Sequence, residues 1–224
     1  MSNEIFFIVH VLVNIFFLLL SLRLGKTYLI IFYTLQIVMA NFFVLKEITL
    51  FSLDVTASDV FAVGSLLSIN LLREYFGIET AKKAIWFAFF SSFVFMIMGQ
   101  LHLRYIPNLS DQTSDAYYKI LSLNLRVTIA SFITFLIVQK LDLELFKQLK
   151  KRLKKSLTWT LFLTIIISNA ADTLLFSFLG LYGLVKSITS IMLMAYLIKI
   201  IITVASAPFI GLTKKIIRNH VVQI

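Results

Sequence analysis

Cysteine is absent from this chain, which excludes disulfides, thiol catalysis and thiolate metal sites. Only three histidines occur, His10, His102 and His220, far apart and without metal-ligand spacing, so no metal or other cofactor is expected. Two prolines and seven glycines in 224 residues leave little room for flexible linkers. The phosphate-binding glycine loop, HExxH and GxSxG are all missing, so no enzymatic activity is expected. Acidic residues are scarce as well, 11 against 21 Lys and Arg. That excess of positive charge would fit a nucleic-acid binder only if it were clustered on one soluble face, and it is not.

What the chain has in abundance is apolar length. It is 59% hydrophobic and 14% charged, with a mean hydropathy of +0.93. Apolar blocks fall near residues 4–22, 27–45, 57–72, 84–101, 121–139, 157–179 and 188–211. Most approach the ~20 residues a helix needs to cross the hydrocarbon core of a bilayer. The expected fold is therefore all-α: a polytopic helical bundle of six to seven transmembrane helices, a single membrane domain over residues 1–224. The third block is the weakest, bounded by Asp59 and by Arg73-Glu74, and reads as a short or tilted helix. Residues 1–4 carry no Lys or Arg, and no small-residue cleavage site follows the first block, so that block reads as a retained helix rather than a signal peptide.

The basic residues set orientation. With seven crossings and the N-terminus outside, 15 of the 21 lie on the cytoplasmic side: Arg23, Lys26, Arg73, Lys82, Lys83, Lys140, the six from Lys147 to Lys155, Lys214, Lys215 and Arg218. Lys46, Arg104, Lys119 and Lys186 fall outside, and Arg126 and Lys199 within spans. A reversed first helix with the third block not crossing gives a weaker bias; both arrangements leave the C-terminus cytoplasmic. The stretch Phe146 to Lys155, in the cytoplasmic loop 140–156, reads as an amphipathic basic hinge that touches lipid headgroups, with docking of an energising ATPase module as the alternative. Residues 102–120 form the longest polar outer loop, a connector or a lid.

Against this apolar background, Ile165 to Phe176 stands out, because it places Asn169 and Asp172 deep in a span. A carboxylate there costs roughly 2.5–3.5 kcal/mol on insertion scales, so such residues face a cavity, a partner or a substrate path. Asn169, Asp172, Thr173 and Phe176 fall at i, i+3, i+4 and i+7, one helix face, with Ser168 a turn behind Asp172. Two intramembrane cations are candidate partners. Lys199 sits near the middle of the last span, too deep to snorkel; Arg126 lies closer to its outer end, where snorkelling competes. A Lys199–Asp172 pair is the expected resting arrangement, and a mere structural tie between helices is the alternative reading. Asn70 and Glu74 share a face at the cytoplasmic end of the third block, with Gly77 suited to a C-cap. Asn41, Gln36, Gln139, His10 and Asn14 read, one by one, as interhelical hydrogen-bonding groups.

Several of these stretches together resemble one family. They are Ser168-Asn169, Asp172-Thr173 and Phe176; Arg126 with Ala130-Ser131 leading to Gln139, Asp142 and Phe146; Asn70 to Glu74 and Gly77 followed by Ala81; and Lys199. The pattern, over about residues 40–205, resembles the vitamin-uptake-like family of bacterial membrane proteins that includes queuosine precursor transporters. Two positions depart from it, Asn70 where the family usually carries Asp and Arg73 where it carries a small polar residue. The resemblance implies import of 7-deazaguanine bases (queuine, preQ1 or preQ0) across the bacterial inner membrane. It also implies a fold like the membrane-embedded substrate-binding subunits of energy-coupling vitamin transporters. It further implies a substrate site drawn from Asp172, Asn169, Glu74, Asn70, Gln139, Phe176 and Thr173, with Lys199 and Arg126 as intramembrane charge partners. Its partners would be the small base and the bilayer, with no nucleic acid.

Overall fold

The computed structural model describes residues 2–153 and 157–217. Among these residues seven helices alternate in direction: α1 (Asn3–Leu24), α2 (Lys26–Phe43), α3 (Asp59–Phe76), α4 (Ile78–His102), α5 (Ser114–Leu153), α6 (Leu157–Phe176) and α7 (Ile188–Ile217). A π-helical turn, Ser177–Leu181, extends α6. Among the described residues, six helices are long and apolar enough to cross a membrane: α1, α2, α4, α5, α6 with its π turn, and α7. The protein is a polytopic helical membrane protein.

The seventh helix, α3, is the weak third block, and the packing explains its composition. It lies against α1, α2, α4 and α7, which shield it from lipid. Eleven of its 18 residues are buried, among them Asp59, Gly64, Ser65 and Ser68. A helix surrounded by other helices needs small and polar contact residues more than it needs hydropathy. At 18 residues it still runs about 27 Å, close to the depth of the hydrocarbon core.

Short glycine turns set the alternation. Gly25 (φ +112°) joins α1 to α2, and Gly77 (φ +82°) caps α3 as the sequence implies and starts α4. Both conformations are open to glycine and strained for side-chain-bearing residues. The α2–α3 connection carries an unforeseen antiparallel hairpin, β1 (Glu47–Leu50) with β2 (Leu53–Thr56), in which Leu50 pairs with Leu53. Its two turn residues, Phe51 (φ 49°) and Ser52 (φ 65°), sit in the left-handed region that two-residue hairpins favour, at a strain of about 1–2 kcal/mol each without glycine. The Phe51 amide donates to Glu4 Oε1 at 3.0 Å and Asn3 Nδ2 donates to the Thr49 carbonyl at 3.1 Å. The Lys186 amide, in the α6–α7 connection, donates to Glu47 Oε2 at 3.0 Å. The start of α1, the hairpin and the α6–α7 connection therefore share one end of the bundle. The end of α7 lies at the other, as in the seven-crossing arrangement.

Two expected boundaries move. The outer connection is shorter than 102–120, because α5 begins at Ser114. An Asx turn precedes it, in which Asp111 Oδ1 accepts both the amide and the hydroxyl of Thr113 and holds the Asp111 carboxyl below its usual range. At the far end α5 continues to Leu153, so the expected hinge is helical over residues 146–153, while Lys154 and Lys155 lie outside the described residues. Forty helical residues span about 60 Å, roughly twice the hydrocarbon core.

The core divides into two apolar clusters. The larger one, with Leu22, Leu29, Leu71, Leu72, Ala84 and Ile202, fills the end of the bundle away from the hairpin. A smaller one, Val44, Val127, Leu181 and Ile191, closes the hairpin end. Between them the helices do not fill the space.

Candidate functional site

That space is a cavity of about 250 Å³, near the small end of the ~300–1,000 Å³ range of ligand pockets and far above the ~30 Å³ share of one water. Its walls come from α2 to α7, with Thr56 and Ser58 at the hairpin end. The charged groups on its walls are Asp59, Asp172 and Lys199.

Lys199 Nζ donates to Asp172 Oδ2 and, at 3.0 Å, to Thr173 Oγ1. One turn further along α7, Thr203 Oγ1 donates to the Lys199 carbonyl at 2.8 Å and accepts from Asn169 Nδ2 at 3.3 Å. The α6–α7 seam is thus a continuous polar ladder, which satisfies groups that hydrocarbon would leave bare. The Asp172 side chain is 36% exposed into the open space, against 16% for Lys199, so the carboxylate retains a face for another molecule.

The opposite wall is built around Asn41, near the end of α2. A helix leaves its last carbonyls without intrahelical donors. Asn124 Nδ2 on α5 meets the Asn41 carbonyl at 3.3 Å, and Thr128 Oγ1 supports Asn124 Oδ1 at 3.2 Å. The Asn41 side chain accepts from Ser131 Oγ at 2.8 Å through Oδ1, while its buried Nδ2 has no partner among the described residues. Phe89, Phe135 and Phe176 supply flat apolar wall, the first two with ring centroids 4.7 Å apart. Gly180 leaves room for Phe176: a Cβ there would stand 3.2 Å from the Phe176 ring and 3.3 Å from Ala130 Cβ.

Of the residues singled out from sequence, Asp172, Thr173 and Phe176 reach the cavity, and Lys199 pairs with Asp172. Four others sit elsewhere. Asn169 points one turn past the cavity to Thr203. Gln139 is exposed on α5, two turns beyond Ser131. Asn70 and Glu74 lie at the far end of α3, beyond the apolar cluster that closes the cavity, with Glu74 exposed. Arg126 is not a partner of Asp172 either. Its Nε donates to the Leu179 carbonyl at 2.9 Å and its guanidinium nitrogen to the Tyr182 carbonyl at 2.7 Å. Both carbonyls lie at the C-terminal end of α6 and its π turn, where the helix runs out of donors, and the arginine fork satisfies them. Ser168 turns to α5, donating to Asp142 Oδ1 at 2.6 Å.

Asp59 and Asn41 are among the cavity residues that periodicity missed as site groups. Asp59 looked like the polar boundary of a weak block, and only the central position of α3 buries it. The available signal was the low hydropathy of that block between two strongly apolar ones, which marks a helix that other helices enclose.

A polytopic bundle with a small, partly polar cavity between two apolar closures has the architecture of a membrane carrier for a small molecule. The chain belongs to the family described as "Putative vitamin uptake transporter", which matches residues 56–213. It is similar to the "Probable queuosine precursor transporter" of Bacillus subtilis (strain 168), with 28% identity over 225 residues and 98% of each chain covered. No solved structure matches the chain.

Proposed function

We propose that this protein imports 7-deazaguanine bases, the precursors of queuosine, across the cytoplasmic membrane of a bacterium for salvage into tRNA. The observation that carries the reading is the cavity itself, sized for one small heterocycle and holding a partly open carboxylate beside aromatic walls. The near full-length similarity to a protein named for queuosine precursors supports the same ligand class.

The chemistry fits residue by residue. A guanine-type edge presents adjacent N–H donors, which the open face of the Asp172 carboxylate accepts. Lys199 pairs with that carboxylate while the site is empty. Phe176 offers a stacking face, worth about 1–3 kcal/mol per base in other base-binding proteins. Thr173 fixes the ammonium of Lys199 from the other side. Asn70, Glu74, Asn169 and Gln139 take no ligand role in this scheme, because they stand off the cavity.

The test is restoration of queuosine in tRNA. A bacterial host lacking its own precursor synthesis and uptake would carry this chain, receive one base at a time, and express the downstream enzyme that base requires. Queuosine should return with at least one base, and Asp172→Ala should abolish the return while the protein still reaches the membrane. No queuosine with any base, despite membrane insertion, overturns the reading. Uptake by the purified chain in vesicles then separates a carrier acting alone from a subunit that needs an ATP-driven module.

A further inference from the structure

Asp59 is the cavity acid that the ion pair leaves over. It is 5% exposed, and among the described residues its Oδ2 has no hydrogen-bond partner. Helix geometry does not account for it. An acid in the first turn of a helix interacts favourably with the N-terminal dipole, yet an exposed carboxylate gains that benefit without being buried. Capping does not use Asp59 either, since the preceding Ser58 hydroxyl pairs with Thr56 Oγ1 at 2.8 Å. A carboxylate oxygen enclosed without a donor is costly to maintain, and the cost is removed when a donor arrives.

The charge count points the same way. Two carboxylates and one ammonium face the cavity, and the ammonium is hydrogen-bonded to Asp172 and Thr173. A cationic donor beside Asp59 would meet the oxygen that the ion pair leaves unsatisfied. Asp172 is a poor seat for it, because a second ammonium there would lie against Lys199. Among the described residues, two other cavity-lining residues hold a buried group without a partner: the amide donor Asn41 Nδ2 and the hydroxyl Thr134 Oγ1. The cavity wall therefore carries an unmet carboxylate oxygen, an unmet amide donor and an unmet hydroxyl, with aromatic faces on α4, α5 and α6.

We infer that Asp59 seats a cationic arm of the ligand, so that this transporter selects a 7-deazaguanine carrying a protonated aminomethyl group over one carrying a neutral nitrile. The inference rests on the transport reading above. The ring lies against the phenylalanine wall, Asn41 Nδ2 donates to a ring or carbonyl acceptor, and the ammonium donates to Asp59 Oδ2. Charge-assisted hydrogen bonds of this kind are the strong ones, and a nitrile cannot form one as a donor.

The experiment measures equilibrium binding of the aminomethyl and cyano bases to the full-length protein in lipid nanodiscs, without and with substitution. Wild type should bind the aminomethyl base about tenfold tighter or more. The near-isosteric Asp59→Asn should weaken the aminomethyl base alone and bring the two affinities within about threefold, with retained cyano binding reporting an intact cavity. Asp59→Glu, which keeps the charge, should keep a preference. Equal binding by wild type overturns the inference and needs no variant; so does an Asn variant that keeps its preference. An Asn variant that loses both bases marks Asp59 as structural and also overturns it. In those outcomes the transport reading survives, because wild type still binds both bases. Failure of wild type to bind either base overturns the inference, and failure to bind queuine as well removes the transport reading itself.

Discussion

Substituting Gly64 by alanine tests the packing that places α3 at the centre of the bundle. An alanine Cβ would stand 2.5 Å from Gln36 Oε1, 2.7 Å from Gln36 Cδ and 2.7 Å from Asn14 Nδ2, all closer than real Cβ contacts. Those two amides are not idle. Asn14 Nδ2 donates to Gln36 Oε1 at 3.0 Å and to the Val60 carbonyl at 2.9 Å, tying α1, α2 and α3 together. Both are buried, Gln36 at 3% and Asn14 at 6% exposure, so neither can swing into water. Overpacking costs about 1–3 kcal/mol, and a buried amide left without its partner about 1–3 kcal/mol more. The sum, about 2–6 kcal/mol, is a large share of a typical ~5–15 kcal/mol stability. At about 2–4 °C per kcal/mol for a chain this long, Tm should fall by at least about 4 °C. The assay is thermal unfolding of the purified protein in detergent, followed by size-exclusion fluorescence. Adding Gln36→Ala removes the clashing atoms, so the double variant should lose less than the sum of the singles. A Gly64→Ala protein as stable as wild type would refute the close approach and the central placement of α3.

Four further outcomes are expected. Lys199→Ala should lower stability by about 1–3 kcal/mol, below the 3–5 kcal/mol of a fully buried pair because Asp172 is partly open, and Asp172→Ala on top should recover part of it without restoring uptake, as read by Tm and base uptake. Arg126→Met should leave the Leu179 and Tyr182 carbonyls unmet and cost about 1–2 kcal/mol in the same unfolding assay; unchanged Tm would show that the π turn stands without its arginine. Gly180→Ala should push the Phe176 ring by a few tenths of an ångström and weaken base binding several-fold while Tm falls by about 1–3 °C; tighter binding would remove Phe176 from the site. Ser168→Ala should strip Asp142 of a 2.6 Å donor and destabilise by about 1 kcal/mol with little effect on binding of the base, measured side by side in nanodiscs.

Hydropathy carried the membrane class, since twenty apolar residues in a row have few other stable fates. The Asp172–Lys199 relation was legible for the same reason: each charge lies too deep for water, so each needs a partner at matching depth. The glycine cap at Gly77 followed from local backbone chemistry alone. The hairpin was hidden because its turn uses Phe51 and Ser52 rather than Asn-Gly, and the contacts from Glu4 and Asn3 that hold it come from 45 or more residues away. Arg126 read as a charge partner because periodicity ranks a cation by its depth. Only the fold shows that the π turn offers it two carbonyls.

By itself, then, the chain determined that it enters a bilayer and which face of α6 is polar. Those properties depend on local composition and on a period of 3.6 residues. The tertiary structure decided which polar groups meet. Asp59 and Asn41 are separated along the sequence by a hairpin, and Asn70 and Glu74 share a helix with Asp59, yet only the first pair reaches the cavity. The reason is physical: depth along a helix is written in the sequence, but which neighbour stands opposite depends on packing, and α3 faces the cavity only over its first turns.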